Sequence, residues 1–192
     1  MLKILKSRKT KSVVIILLLA LSIIHTIYPR LFNKSAEVIR IDQPGLYKVI
    51  HFKDGDTIVV DMQGTPETVR FIGVDTPETH KPNTPVQCYG PAASAHTKIL
   101  IGNSKVRLES DPLSTDRDRY NRLLRYVFLP GGRLVNEDLI QNGYGFYYPY
   151  FPFTKSEQFS QLQSEAQTLH KGLWGNCNPT RKGAGYQSNS AG

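Results

Sequence analysis

A chain of 192 residues is long enough for one domain of ordinary size with a sizeable core, and not for two. Its formal net charge of +8 does not by itself mark a nucleic-acid-binding face. Lys3, Lys6, Arg8, Lys9, Lys11, Arg30 and Lys34 all precede the first acid, Glu37, so the remaining 17 basic residues meet all 16 acidic ones and the folded part is close to neutral.

The basic residues flank an apolar run over 13–28, VVIILLLALSIIHTIY, which is too hydrophobic to sit exposed and reads as an export or anchoring segment. Its core over 13–21 suits a signal peptide, and the whole run falls slightly short of the ~20 residues that span a bilayer comfortably. Only Ala20 with Ser22 offers a weak cleavage site, which favours an uncleaved signal anchor. Five basic residues ahead of the run place the N-terminus inside and the domain outside. The expected division is therefore 1–36 as anchor or signal peptide, 37–178 as the domain and 179–192, rich in Gly, Ser and Asn, as a disordered tail. In an exported chain the two cysteines, Cys88 and Cys177, read as one disulfide, with two free buried thiols as the alternative that spacing leaves open.

Within the domain a first strand is expected over 46–52, a turn at Asp54-Gly55-Asp56, and a hairpin of strands 57–61 and 68–74 closed by Gln63-Gly64. Residues 80–87 hold Pro82 and Pro85 and read as a loop. Gly90-Pro91 opens a helix stopped by Gly102-Asn103, with Ala92, Ala95 and Ile99 as its inward stripe. Strands over 105–108 and 123–129 follow, then a short helix over 135–142 stopped by Gly143. Residues 144–153, YGFYYPYFPF, read as a loop carrying rings. Thr154 and Glu157 form a capping box for a last helix through His170, with Phe159, Leu162, Ala166 and Leu169 on one face and Trp174 packed nearby as core. A five-stranded barrel with about three helices, one of them between the third and fourth strands, is the order of an OB-fold, and such barrels bind oligonucleotides or oligosaccharides.

Three carboxylates stand out. Asp56 at a strand start and Asp75 at a strand end can meet across neighbouring strands, with Glu78 three residues on. Oxygen donors without His or Cys neighbours suit a hard cation, calcium or magnesium. Asp54 reads mainly as an Asx turn. Arg70 lies five residues before Asp75, which in an ideal strand means ~16 Å and opposite faces, so a bend at Gly73 or the curvature of a barrel must bring the two together. Arg117, Arg119, Arg122 and Arg125 form a basic cluster interleaved with Tyr120 and Tyr126 and partly neutralised by Asp111, Asp116 and Asp118.

These pieces together resemble the staphylococcal nuclease, or thermonuclease, family over about residues 49–174. The carriers are DGDT over 54–57, RFIGVDTPE over 70–78, CYGPAASAHTK over 88–98, DRYNRLLRYV over 118–127 and VNEDLIQNG over 135–143. The resemblance implies an OB-fold, calcium-dependent phosphodiesterase, monomeric, that acts on DNA and RNA, preferably unpaired, and leaves 3′-phosphate ends. Asp56 and Asp75, with the carbonyl of Thr76, would hold calcium. Glu78 would accept the proton of the attacking water or orient it, and Arg70 and Arg122 would grip the phosphate and its developing charge. Tyr120 and the neighbouring Arg119 would contact the nucleotide. Asn121 stands where the family usually has glycine, a substitution that asparagine's tolerance of left-handed backbone makes harmless. The nucleotide-stacking tyrosines have no firm position near Tyr148 and Tyr150. A binding module of the same fold without catalysis would lack one of Asp56, Arg70, Asp75, Glu78 or Arg122, and all five are present.

Overall fold

The computed structural model describes residues 45–79 and 85–191. The expected anchor, the boundary at residue 37 and most of the 80–87 loop lie outside the described residues. Strands β1 (Leu46–Asp54), β2 (Thr57–Met62) and β3 (Thr65–Phe71) form a meander, and a reversal at Ile72-Gly73 leads into the two-residue β4 (Val74–Asp75). Helix α1 (Gly90–Ile101) precedes β5 (Lys105–Glu109) and β6 (Leu123–Phe128), which are followed by α2 (Val135–Gln141), β7 (Phe146–Tyr147), α3 (Ser156–Thr168) and α4 (Leu173–Asn176). The chain finishes in a hairpin of β8 (Thr180–Lys182) and β9 (Gly185–Gln187).

The barrel closes in the order β1-β2-β3-β6-β5, the five-stranded arrangement expected of an OB-fold, with β3 and β6 the parallel pair. Strand alternation drives the closure. On β2, Ile58, Val60 and Met62 point inward to meet Val69 and Phe71 of β3, Val106 and Leu108 of β5, and Leu123 and Val127 of β6. Val135, Leu139 and Ile140 of α2 and Phe159 of α3 cover the open end of this core. Asn136 is wholly buried and fully used: its Oδ1 accepts the Val127 amide at 2.9 Å while its Nδ2 donates to the carbonyls of Ile72 at 2.9 Å and Arg125 at 3.2 Å. One amide thus ties α2 to β6 and to the reversal after β3.

Several elements differ from the sequence reading. Helix α1 buries Ala93, Thr97 and Ile101 and leaves Ile99 81% exposed, because Thr97 donates to the Gly55 carbonyl at 2.6 Å and that polar contact sets the rotation of a helix with little amphipathic contrast. Thr154 is not a helix cap. Its amide and hydroxyl both bond to Oδ2 of Asp111, at 2.8 and 2.5 Å, and α3 begins at Ser156 without a side-chain cap. Leu169 lies beyond α3 and is exposed. Within the ring-rich loop, β7 pairs with β4. Trp174 sits in a separate small cluster, edge-on to Phe146 at 5.3 Å and to Tyr186 at 5.1 Å.

The largest correction is the C-terminal segment. Expected as a disordered tail, it folds as β8–β9 because Tyr186 stacks on Phe146 and because its end is bonded into the domain: Ser188 donates to the Cys88 carbonyl at 2.8 Å, the Cys88 amide to Asn189 at 2.8 Å and the Ala191 amide to Val86 at 2.8 Å. Cys88 and Cys177 form the expected disulfide, with Cα atoms 6.0 Å apart. A bridge across 89 positions removes much of the freedom of the unfolded chain, about 4 to 5 kcal/mol in the chain-entropy account.

Asp111 joins the barrel to the start of α3. Besides Thr154 it accepts the Tyr126 hydroxyl at 2.7 Å and the Leu113 amide at 2.8 Å. Burial pushes its carboxyl up, but the hydrogen bonds from Thr154, Tyr126 and Leu113 outweigh burial and hold it below the ordinary value. Such a group stabilises the fold above the carboxylate range, and its contribution is lost as pH falls through the lowered value. Asp111→Asn is expected to lose about 2 kcal/mol at neutral pH and progressively less in acid, read from urea unfolding across pH. A deficit independent of pH would contradict this account.

Candidate active site

The turn between β1 and β2 delivers Asp56. Gly55 is needed there because a Cβ would lie 2.9 Å from the Thr76 side chain, and this close approach lets Asp56 reach across to that residue. Oδ2 of Asp56 accepts the amide and hydroxyl of Thr76, at 2.7 and 3.0 Å, and Oδ1 accepts the Thr57 hydroxyl at 2.9 Å. Asp54 makes the expected local turn, accepting the Gly55 amide at 3.0 Å, and also the Thr79 hydroxyl at 3.0 Å. Burial first, and then the charge of Asp56, push the Asp54 carboxyl up, against bonds from Gly55, Thr79 and Glu78.

Gly73 supplies the bend that Arg70 and Asp75 require. With φ at 73° it reverses the strand, and β4 brings Asp75 back beside Arg70. Nη2 of Arg70 then lies 2.7 Å from Oδ1 of Asp75 and 3.3 Å from Oδ2 of Asp56, while Nη1 donates to the carbonyls of Val74 at 2.6 Å and Phe71 at 3.1 Å. Burial works against this guanidinium's charge, but Asp56 and Asp75, with Tyr148 and Glu78 adding less, raise its pKa above the usual value. Glu78 follows Pro77, and its main chain is fastened both ways to Gln87: its amide donates to Oε1 at 2.8 Å and its carbonyl accepts the Gln87 amide at 2.9 Å.

On the opposite wall, Asn121 adopts φ of 62°, the left-handed conformation expected of it, in the turn leading to Arg122. Asp118 closes that turn. Its Oδ1 accepts the amides of Tyr120 at 2.9 Å and Arg122 at 3.0 Å, and its Oδ2 takes Nε and Nη2 of Arg122 at 2.7 and 2.6 Å. Burial raises the Asp118 carboxyl, but the bonds from Arg122 more than reverse this and keep it ionised into acid. Arg122 lies over the Tyr120 ring at 5.4 Å and Arg119 over the same ring at 4.8 Å.

The four-arginine cluster divides. Arg117 bridges to Glu67 at 3.0 Å, and Arg125 is 2% exposed, its Nη2 2.5 Å from Asp116; both are structural. Arg119 and Arg122 face a cleft of about 990 Å³ that also takes in Asp56, Arg70, Asp75, Thr76, Glu78 and Tyr120. Arg70, Glu78, Arg122, Asp56, Asp75, Thr76, Tyr120 and Arg119, the residues to which the resemblance assigns a role, therefore line one cleft. Tyr148 and Tyr150, without a firm place in the sequence, line it too, Tyr148 lying 6.0 Å from the Arg70 guanidinium. Lys53 borders the DGDT turn on the strand side, and Gln87 has no pattern around it that marks it.

The donor set is all oxygen: two carboxylates and the main chain at Thr76. Among the described residues no three His, Cys, Asp or Glu side chains are grouped to hold a metal by themselves. Such oxygen donors would suit a hard cation and not zinc.

A family model described as staphylococcal nuclease homologue matches residues 68–176. The thermonuclease of Staphylococcus hyicus is 50% identical over 133 residues, 68% of this chain and 76% of that one. The thermonuclease of Staphylococcus intermedius is 42% identical over 165 residues, 83% of this chain and 95% of the relative. The chain belongs to the staphylococcal nuclease family. It is a nuclease hydrolase. A third relative, endonuclease YncB of Bacillus subtilis (strain 168), is 44% identical over 123 residues, 63% of this chain and 57% of its own length. The match to the family model starts inside β3, so Asp56 of this staphylococcal nuclease homologue lies ahead of it and the β8–β9 hairpin beyond it.

Because Asp118 takes both Nε and Nη2 of Arg122, Asp118→Asn is expected to lower kcat about 10-fold or more, through misplacement of the guanidinium, while the fold persists. Arg117→Met, which breaks an ion pair outside the cleft, should change stability and leave turnover near wild type. Steady-state cleavage of single-stranded DNA by both variants checks this, and equal turnover in the two would exclude the positioning role of Asp118.

Proposed function

We propose that this nuclease hydrolase works outside the cytoplasm and uses calcium to hydrolyse phosphodiester bonds of DNA and RNA, preferably unpaired, leaving 3′-phosphate ends. The observation that carries the reading is the convergence of Arg70, Arg122 and Glu78 on one cleft beside Asp56 and Asp75. In this reading Asp56, Asp75 and the carbonyl of Thr76 hold the ion, which when bound polarises the phosphate and neutralises charge.

The remaining chemistry is carried by side chains. Glu78 orients the attacking water and accepts its proton as the new bond to phosphorus forms. The bond to the 5′ oxygen breaks in line with the attack and that oxygen takes a proton from solvent to leave as a hydroxyl, so the phosphate stays on the 3′ oxygen. Arg70 and Arg122 grip the phosphate and the charge that develops on it, and each guanidinium offers a two-pronged donor that lysine lacks. Tyr120 and Arg119 contact the nucleotide. Arg70 donates to Asp75 and lies against Asp56, so a single buried cation balances both carboxylates of the ion-holding pair. That balance predicts a fold that survives loss of the ion.

Excess chelator is expected to abolish cleavage and leave the far-ultraviolet circular dichroism unchanged; calcium should restore activity, and magnesium, which demands stricter octahedral geometry, should do so poorly. Arg122→Lys is expected to lower turnover at least ~100-fold. Products should resist extension by a polymerase until treated with a phosphatase. Full activity in chelator, or an Arg122→Lys enzyme as fast as the parent, would overturn the mechanism.

Location outside the cytoplasm is supported by the basic residues before the 13–28 run and by the Cys88–Cys177 disulfide. Retention in the membrane pellet after alkaline extraction is the expected outcome for an uncleaved anchor. A wholly soluble protein beginning near residue 23 or later would make the run a signal peptide.

A further inference from the structure

The cleft does not end at the cluster of carboxylates and arginines. It continues over Tyr148 and Tyr150 to Lys182, Gly185 and Tyr186 of the C-terminal hairpin, beyond the segment that the family model matches. A chain of contacts joins the two ends. Arg70 lies 6.0 Å from the Tyr148 ring, Tyr148 lies 4.9 Å from the Tyr150 ring, and the Tyr150 hydroxyl donates to the Lys182 carbonyl and accepts the Gly185 amide at 3.3 Å.

We infer that the β8–β9 hairpin is a further substrate subsite, in which Lys182 holds a phosphate of the nucleic-acid strand beyond the one being cut. This rests on the nuclease reading above. The hairpin is built to stay in place: Lys182 pairs with Gly185 across the turn, Tyr186 packs on Phe146 and Trp174, and the Cys88–Cys177 disulfide closes its base. A hairpin backbone already in place costs little further ordering when substrate binds.

The two basic residues of β8 have different surroundings. Arg181 is engaged with Tyr186, its guanidinium 5.6 Å from the ring and its Nε 3.4 Å from the hydroxyl. Lys182 is exposed, lines the cleft, and pairs with no carboxylate among the described residues. An ammonium on a flexible stem binds phosphate as a point charge, without reading the base. The subsite therefore selects for strand length and not for sequence. It makes a strand that extends from the carboxylate and arginine cluster to the hairpin a better substrate than a dinucleotide.

The test compares a single strand of about 12 nucleotides with a dinucleotide carrying the same cleavable bond, across a range of salt, for wild type, Lys182→Ala, Lys182→Glu and the control Lys105→Glu. Lys105 is exposed on β5 and lies outside the cleft lining. Lys182→Glu is expected to raise KM for the longer strand about fivefold or more with kcat within about twofold, and so to narrow the advantage of the longer strand over the dinucleotide. Lys182→Ala should reduce the slope of log KM against log salt by about 0.7, the value for one phosphate contact on a single strand. Lys105→Glu should do neither. An unchanged KM for the longer strand in Lys182→Glu, or an equal loss on both substrates, overturns the subsite while the nuclease reading stands. A wild-type protein that cuts neither substrate overturns both.

Discussion

The cleft depends on the chain reversal at Ile72 and Gly73. Without it, Arg70 and Asp75 would extend along one strand, too far apart and on opposite faces to share a partner. The reversal is clamped from three sides. The Ile72 amide donates to the Arg125 carbonyl of β6, the Ile72 carbonyl accepts from Asn136 of α2, and the Gly73 carbonyl accepts the Tyr148 amide. A Cβ at Gly73 would lie 2.5 Å from the Phe153 ring and 2.9 Å from Phe159, so the residue is set by packing as well as by its positive φ. Core, helix and ring-rich loop therefore all act on the same two residues.

Arg70 is the electrostatic counterpart of that bend. It is largely buried, with little bulk water to stabilise its charge, and Asp56 and Asp75 do so in place of solvent. Asp56 is held in place by Thr76 and Thr57 as well, and the buried guanidinium would be costly without the two carboxylates. The excess positive charge of the chain lies ahead of Glu37 in the sequence, and the residues from Glu37 onward are close to neutral. Local pairing within the cleft sets the field there, which is why a nearly neutral domain can present arginines from two walls to one space.

The division of the arginines between 117 and 125 illustrates how a charged run can hold two jobs. Arg117 and Arg125 fix the hairpin that leads into β6, through Glu67 and Asp116, and this fixed hairpin is what allows Asp118 to aim Arg122. The disulfide and the hairpin after α4 serve the other rim in a comparable way, with Tyr150 of the aromatic loop bonded to the hairpin at Gly185 and Tyr186 of the hairpin packed on Phe146.

Short-range patterns carried much of this in the sequence alone. The alternation of β2 and the order of five strands and a helix are legible there because each depends on neighbours a few residues apart, whereas the left-handed position at Asn121 and the grouping of Asp56, Asp75, Glu78, Arg70 and Arg122 were implied by the resemblance that the motifs carry. Distant partners decided the rest. Thr97 turned α1 onto a face that its apolar residues did not indicate, since one buried hydrogen bond to Gly55 outweighs a weak hydrophobic stripe. Asp111 took Thr154 away from the cap of α3, a competition between residues 43 positions apart that no local window contains. The segment after Cys177 has the composition of a tail, and it is ordered only because Phe146, Trp174 and Cys88 are brought beneath it by the folded domain. Composition reports whether a segment can bury itself, and tertiary structure decides whether something else is there to bury it.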